Sequence, residues 1–160
     1  MSDNPVPGTP WATGATVVQR LIDEHRLEQV VPDTELASRQ LHYARQSLDA
    51  AREQAERFPM PAFTSAYDAA RLALVALLEH QGLRPTADGS HLTVEEAVAA
   101  QIGSAVARKF RTLRLLRHST QYPSPGDSDI TADDVREAVG LTEALIPAVE
   151  RLMTQMGVFR

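Results

Sequence analysis

One stripe of small and apolar side chains does most to limit what this chain can fold into. Between residues 33 and 58 these side chains recur at alternating steps of four and three residues, the spacing of one face of an α-helix. The stripe consists of Ala37, Leu41, Ala44, Leu48, Ala51, Ala55 and Phe58. Because alanine has little bulk, a neighbouring helix can approach this face closely. The pattern therefore predicts a helix that packs tightly against other helices.

Helical patterns also cover most of the rest of the 160 residues. Turn-rich stretches at residues 84–90 and 123–127 separate them, and no segment has the pattern of a convincing strand. We expect an all-α protein, an up-and-down helical bundle of four long helices plus a short N-terminal helix. The predicted helices cover residues 15–27, 33–58, 61–81, about 93–119 and a final segment from Thr131.

Short polar signals predict where two of these helices begin. Asp33 or Thr34 can cap the helix that carries the alanine stripe. Thr93 and Glu96 have the spacing of a capping box, in which each side chain binds a free backbone amide near the other. Gly103 lies inside the helix that this box would open, and there we expect it to mark a close helix crossing.

The first 14 residues contain three prolines and two glycines, a composition that disfavours regular structure. We expect residues 1–14 to form a flexible arm and residues 15–160 to form a single domain, which the chain length suits. Trp11 lies in the arm. It either holds the arm against the bundle or anchors a partner.

Composition excludes several kinds of site. The chain has no cysteine, which excludes disulfides, a cysteine nucleophile and Cys-ligated zinc. The histidines are well separated and match no metal-binding motif, so no metal and no cofactor are expected. Glu79 and His80 fall at a predicted helix end, where we expect a solvated pair, and His91 is expected to be a loop or capping contact.

The longest apolar run, Leu72–Leu78, is far shorter than the roughly 20 residues that span a bilayer. The N-terminus also lacks the basic start and apolar core of a signal peptide. These features predict a cytoplasmic protein that does not enter a membrane. A net charge of −5 argues against a general nucleic-acid coat, although it leaves room for a local basic patch.

Such a patch is present at residues 108–118, which hold five Arg and Lys side chains and no acid, so the rest of the chain carries −5 − 5 = −10. At 100° per residue, Arg117 falls among apolar side chains, where an unpaired charge is costly. We therefore expect Arg117 to meet a partner group or open into a cleft. The opposite side is either a solvated face or a phosphate-binding stripe, and it carries Arg108, Arg111, Arg114 and His118.

Three stretches of the chain resemble the HEPN superfamily of helical domains, which occur in prokaryotic toxin–antitoxin systems and beside minimal nucleotidyltransferases. They are residues 66–82, the segment from Gly89 to Thr93, and residues 113–122 followed by the start of the last helix. Together they span about residues 33–156. The resemblance implies a helical bundle that forms a homodimer, with a cleft at the dimer interface.

In ribonucleolytic members, an Arg precedes a His by four to six positions, and the pair lines that cleft. The resemblance implies that Arg would hold the phosphate while His assists attack by the ribose 2′-hydroxyl, without a metal. Arg117 matches the motif Arg, but Tyr122 stands at the expected His position and His118 follows Arg117 directly. A phenol gives up its proton only near pH 10, so it is a weak general base at neutral pH.

Further candidate binding residues are Arg111 and Arg114 on the basic helix and Tyr67, Asp68 and Arg71 on the third predicted helix. The resemblance implies that the last three face the shared cleft. From spacing alone, Asp68 and Arg71 could instead form an ordinary ion pair on the helix surface.

These observations leave three functions open. We expect first a binding or regulatory module of a toxin–antitoxin or nucleotidyltransferase-linked system, whose basic helix contacts RNA, a nucleotide or an acidic partner. A nucleotidyltransferase-type protein is then the expected partner. The alternative is a metal-independent endoribonuclease toxin that uses Arg117 with His118 or Tyr122. The third is a structural domain whose basic side chains pair with its own acidic residues.

Overall fold

The computed structural model describes residues 11–86 and 90–159. Within those ranges helices dominate and only two short strands form, so the predicted all-α class is confirmed. The elements are α1 (Ala15–Asp23), β1 (Leu27–Gln29), α2 (Thr34–Gln54), α3 (Pro59–His80), β2 (Leu83–Pro85), α4 (Ser90–Ile102), α5 (Ser104–Gln121) and α6 (Ala132–Met153).

Helices α2, α3 and α6 form the core of the bundle. The stripe residues from Ala37 to Ala55 are buried as the spacing predicts, but Phe58 follows the end of α2 and is 48% exposed. Helix α3 is apolar on most of its circumference because neighbours cover it on several sides. Thr142 of α6 is buried in this core, where its hydroxyl donates to the carbonyl oxygens of Ala138 at 2.9 Å and Ala66 at 3.3 Å. These helices form the fixed frame for the remaining elements.

Side-chain caps set the starts of two core helices. The carboxylate of Asp33 accepts from the amide of Leu36 at 2.9 Å, which confirms one of the two caps predicted for α2. Thr131 and Asp134 form a reciprocal capping box at the start of α6. Each polar contact satisfies amides that the first turn of a helix leaves free.

The prediction of one long helix from Thr93 to about Ser119 is wrong, because Gly103 separates this segment into α4 and α5. Gly103 has a φ of +102°, which ends α4. No atom lies within 4 Å of the position a Cβ would take, so Gly103 does not mark a close helix crossing. Helix α5 instead folds back beside α4, as the 2.7 Å contact between Arg114 and Glu95 shows.

The expectation of no strands is also wrong. Strands β1 and β2 pair antiparallel, with Leu27 opposite Pro85 and Gln29 opposite Leu83. Three residues are too few to produce a readable alternation of polar and apolar side chains. Gly82 precedes β2 with a φ of +78°, and a Cβ there would lie 2.6 Å from the carbonyl oxygen of Val30. The turn into β2 therefore requires glycine.

The predicted capping box at Thr93 is wrong as well, since α4 already begins at Ser90. Thr93 is buried and accepts a hydrogen bond from Arg26 Nε at 3.2 Å. Glu96 binds Arg26 Nη2 at 2.8 Å and Arg20 Nη2 at 3.1 Å. These contacts attach α4 to α1 and to the segment that follows α1.

Trp11 lies against the bundle and donates from Nε1 to the carbonyl oxygen of Gln101 at 3.0 Å. Residues 1–10 of the predicted arm, and Gly89 of the HEPN-like segment, lie outside the described residues, so the predicted domain boundary stays a prediction. Among the described helices, none combines the length and apolar character that crossing a bilayer requires.

The pair expected to be solvated at the end of α3 is instead packed into the fold. Glu79 is only 1% exposed and is paired with Arg84 of β2 at 3.2 Å. His80 Nε2 is 3.0 Å from the carbonyl oxygen of Met156. The chain after α6 covers this end of α3, which the sequence pattern did not indicate.

Candidate functional site

Three helices bring basic side chains to one place. Helix α3 supplies Tyr67 and Arg71, which are four residues apart and share a face, and α5 supplies Arg114 and Arg117, which are three apart. Helix α4 supplies His91. The charges of all three arginines act on both Tyr67 and His91. We call Arg71, Arg114 and Arg117 the arginine cluster.

Tyr67 is the buried support at the centre of this site. It is 1% exposed, and its hydroxyl is hydrogen-bonded to Nδ1 of His91. The rings of Tyr67 and His91 are stacked with centroids 5.6 Å apart, and Phe110 of α5 stacks on Tyr67 at 5.5 Å. Tyr67 therefore joins α3, α4 and α5 and holds the His91 ring beside the arginine cluster.

The surroundings keep both rings uncharged at neutral pH. Burial raises the pKa of Tyr67 to about 12, although the positive charges of Arg71, Arg114 and Arg117 oppose this shift. Partial burial lowers the pKa of His91, and the positive charge of Arg71 lowers it further, while Asp68 acts in the opposite direction. Tyr67 is thus a protonated phenol and His91 a neutral imidazole.

Glu95 forms an ion pair with one arginine of the cluster, Arg114. Its carboxylate lies 2.7 Å from Nε of Arg114 and 3.9 Å from Nε of Arg111. The side chain of Arg114 is 22% exposed, whereas Arg108, Arg111 and His118 are exposed. Helix periodicity predicted that Arg114 shares one side of the helix with these three residues. In the structure they are exposed, whereas Arg114 is partly buried.

Arg71 and Arg117 are both partly buried, yet neither lies within 4.0 Å of a carboxylate oxygen among residues 11–86 and 90–159. The ion pair that spacing allowed between Asp68 and Arg71 is not formed. Nε of Arg71 is buried without a hydrogen-bond partner. Among the described residues, the guanidinium groups of Arg71 and Arg117 thus have no ion-pair partner.

His118 and Tyr122, the other motif candidates, lie at the far end of α5. Both are exposed, Tyr122 at 63%, and their ring centroids are 5.1 Å apart. Tyr122 follows the last residue of the helix, and its amide donates to the carbonyl oxygen of His118. The structure brings Tyr67, Arg71, Arg114 and Arg117 together around His91, and it pairs His118 with Tyr122 outside that group.

Sequence reasoning missed His91 as part of this site. It interpreted His91 as a loop or capping contact before a helix that was expected to start at Thr93. The one signal that could have found it is the second HEPN-like segment, which contains His91. No group of three or more His, Asp or Glu side chains suited to a metal ion occurs among the described residues.

Comparison with protein families gives one match, to the family described as the HEPN domain, over residues 37–152. This range covers well over half of the chain and includes the whole arginine cluster together with Tyr67 and His91. No curated protein and no solved structure matches the chain. Because this match covers well over half of the chain, the chain belongs to the HEPN domain family.

Proposed function

We propose that this HEPN-family protein is a binding module whose arginine cluster grips the phosphate groups of RNA. The observation that carries the proposal is the pair of guanidinium groups, on Arg71 and Arg117, that have no ion-pair partner among the described residues and act on neutral His91. A planar guanidinium matches two oxygens of a phosphate, so an anion between these groups would satisfy both.

The energetics favour an external anion over an internal partner. Partly burying a cation without a counter-charge lowers stability, and a bound phosphate would remove that cost. Among the described residues, Glu95 pairs with Arg114, and no carboxylate oxygen lies within 4.0 Å of Arg71 or Arg117. The rest of the acidic chain repels RNA, so binding is expected to depend on this one place and to weaken as salt rises.

Stacking contributes little to this mode of binding. Aromatic residues make up 5% of the chain, and Tyr67 and Phe110 at the site are buried against each other. Single-strand binders that use stacking need exposed rings. RNA phosphates, rather than bases, are therefore the expected contact.

The biological setting forms part of the same proposal. Family membership supports a cytoplasmic homodimer from a toxin–antitoxin or nucleotidyltransferase-linked system, with a nucleotidyltransferase-type partner. A pocket of about 180 Å³ between α3, α5 and α6 supports dimerisation, because its lining is apolar except for Lys109 and Thr142 and a second copy could cover it. Light scattering of the purified protein tests this part, and a mass near 17.5 kDa would contradict it.

RNA affinity of charge-matched variants tests the binding function. Anisotropy of a labelled single-stranded RNA should show Arg117→Ala binding about 10- to 100-fold more weakly than the wild type, the range expected for a charged hydrogen bond. Arg52→Ala removes the same charge but breaks an ion pair with Glu143, so its affinity should match the wild type. Equal affinity for Arg117→Ala and the wild type would contradict the proposal.

The same RNA, incubated with the protein and a chelator, separates binding from cleavage. The binding module predicts intact RNA. Cleavage that is lost in Arg117→Ala and in His118→Ala would instead establish the ribonuclease. A lower melting temperature of Arg117→Ala with unchanged RNA affinity would establish the purely structural role.

A further inference from the structure

We propose that His91 is an additional phosphate contact, which acts as a neutral hydrogen-bond donor through Nε2–H, and that the buried Tyr67 hydroxyl fixes the tautomer that makes this possible. This inference rests on the proposed binding of phosphate at the arginine cluster. It adds to that cluster a residue from a third helix, α4.

The hydrogen bond between Tyr67 and His91 determines where the imidazole proton lies. Among the described residues, Nδ1 of His91 is the partner recorded for the Tyr67 hydroxyl. A protonated phenol that is buried needs an acceptor for its proton, and an unprotonated Nδ1 supplies one. A neutral imidazole carries a single proton, which must then lie on Nε2.

The position of the ring makes this proton available to a ligand. Phe110 and His91 both stack on Tyr67, so Tyr67 cannot turn away without losing both stacks. His91 as a residue is exposed, and Nε2 lies across the ring from the atom that Tyr67 holds. His91 also belongs to the first turn of the 13-residue helix α4, whose free amides favour an anion.

The charges around His91 explain why a neutral donor suits this position. Asp68 and Arg71 of α3, Glu95 of α4, and Arg114 and Arg117 of α5 face the pair. A cationic imidazole would add repulsion to three arginines. A neutral N–H donates a hydrogen bond to a phosphate oxygen without that repulsion.

The tautomer can be measured without RNA. Long-range ¹H–¹⁵N spectra of the labelled full-length protein at neutral pH should show His91 with Nε2 protonated and Nδ1 unprotonated. Adding inorganic phosphate should shift the Nε2 resonance. Tyr67→Phe keeps the ring stack but removes the donor, so it should give a mixture of tautomers and an imidazole that protonates at a higher pH. An Nδ1–H tautomer in the wild type, or an Nε2 that phosphate does not perturb, would overturn the inference.

RNA affinity supplies the second readout. His91→Ala should weaken binding about three- to tenfold, the loss expected for one hydrogen bond, and His91→Gln should recover part of it because an amide N–H can replace Nε2–H. His42→Ala, which removes an exposed histidine on α2, serves as the control. If Arg117→Ala weakens binding and His91→Ala does not, this inference fails and the proposed function stands. If neither variant weakens binding, the proposed function fails, and the phosphate titration still decides the role of His91.

Discussion

The arginines on the α2–α6 face and those of the arginine cluster have opposite surroundings. On the α2–α6 face, Arg45 pairs with Glu150, and Arg52 pairs with Glu143 at 2.6 Å. In the arginine cluster, Arg71 and Arg117 have no such partner among the described residues. Arginine therefore forms ion pairs between two helices in one region, whereas in the other region two arginines have no ion-pair partner among the described residues.

The difference lies in how the arginines are paired, not in how many there are. The pairs on the α2–α6 face are exposed, so each contributes at most about 1 kcal/mol to stability, and their positive charge is cancelled locally. At the cluster, Glu95 pairs with Arg114 and lies 3.9 Å from Arg111. Among the described residues, the lack of an ion-pair partner for Arg71 and Arg117, rather than the basic composition of α5, distinguishes this candidate site.

The largest expected effect comes from the buried ring beneath the arginine cluster. Phe110→Ala removes a ring that is 2% exposed and supports Tyr67, so it should lower the free energy of unfolding by about 3–5 kcal/mol and also weaken RNA binding. Phe63→Ala in the core should cost a similar amount without changing the RNA affinity of the folded protein. Urea denaturation measures the free energy of unfolding of both variants, and fluorescence anisotropy measures their RNA affinity. An unchanged RNA affinity for Phe110→Ala would mean that the Tyr67 support does not matter to the site.

A matched pair of double variants tests the comparison itself. Arg71→Ala with Arg117→Ala should reduce RNA affinity about 100-fold or more, because both uncompensated cations are lost. Arg45→Ala with Arg52→Ala changes the net charge equally but should leave affinity within about twofold, since those cations are already paired. Similar losses in the two double variants would show that RNA responds only to net charge.

The salt dependence of binding gives a smaller and more specific effect. Each phosphate contact to single-stranded nucleic acid adds about 0.7 to the slope of log affinity against log salt. Arg117→Ala should reduce the slope by about that amount, whereas Arg52→Ala should leave it unchanged. Titrations at several salt concentrations measure the slope, and an unaltered slope for Arg117→Ala would place this side chain outside the phosphate contact.

The smallest expected effect is a pH dependence of stability. The pKa of His91 is lowered on folding, so the unfolded chain binds more protons between that lowered value and about 6.5. Stability should therefore fall as the pH drops through this window, and His91→Gln should remove the fall. The pKa of Glu96 is lowered by its hydrogen bond to Arg26, so its contribution is lost only at a pH below about 4.5. Melting curves recorded at several pH values separate the two windows. If His91→Gln and the wild type lose the same stability in the His91 window, the pKa shift of His91 is contradicted.

Periodicity and resemblance could predict the helical fold and most residues of the site. The alanine stripe of α2 and the cap at Asp33 depend on local spacing, which a sequence displays directly. Tyr67, Arg71 and Arg117 came from resemblance and from the position of Arg117 in an apolar arc. The stripe, the cap and the position of Arg117 depend on spacing within one helix, whereas the resemblance depends on three stretches taken together.

The rest depends on how helices meet, which spacing within one helix does not contain. Glu95 and Arg114 are 19 residues apart, and in one continuous helix they would be about 28 Å apart. The left-handed backbone at Gly103 folds α5 back on α4 and brings them to 2.7 Å. A sequence analysis that treats Gly103 as an interior residue loses this contact. The contact of His91 with Tyr67 joins α4 to α3, and spacing within either helix does not contain it.

The most direct test of the central claim is to follow the arginine side chains themselves. The ¹H–¹⁵N signals of the guanidinium Nε groups, assigned by single substitutions, can be recorded while a short single-stranded RNA is added. The signals of Arg71 and Arg117 should move and saturate together, while those of Arg45 and Arg52 stay in place. Equal movement of all four, or movement confined to Arg45 and Arg52, would contradict the claim that binding depends on the cations the fold leaves without a counter-charge.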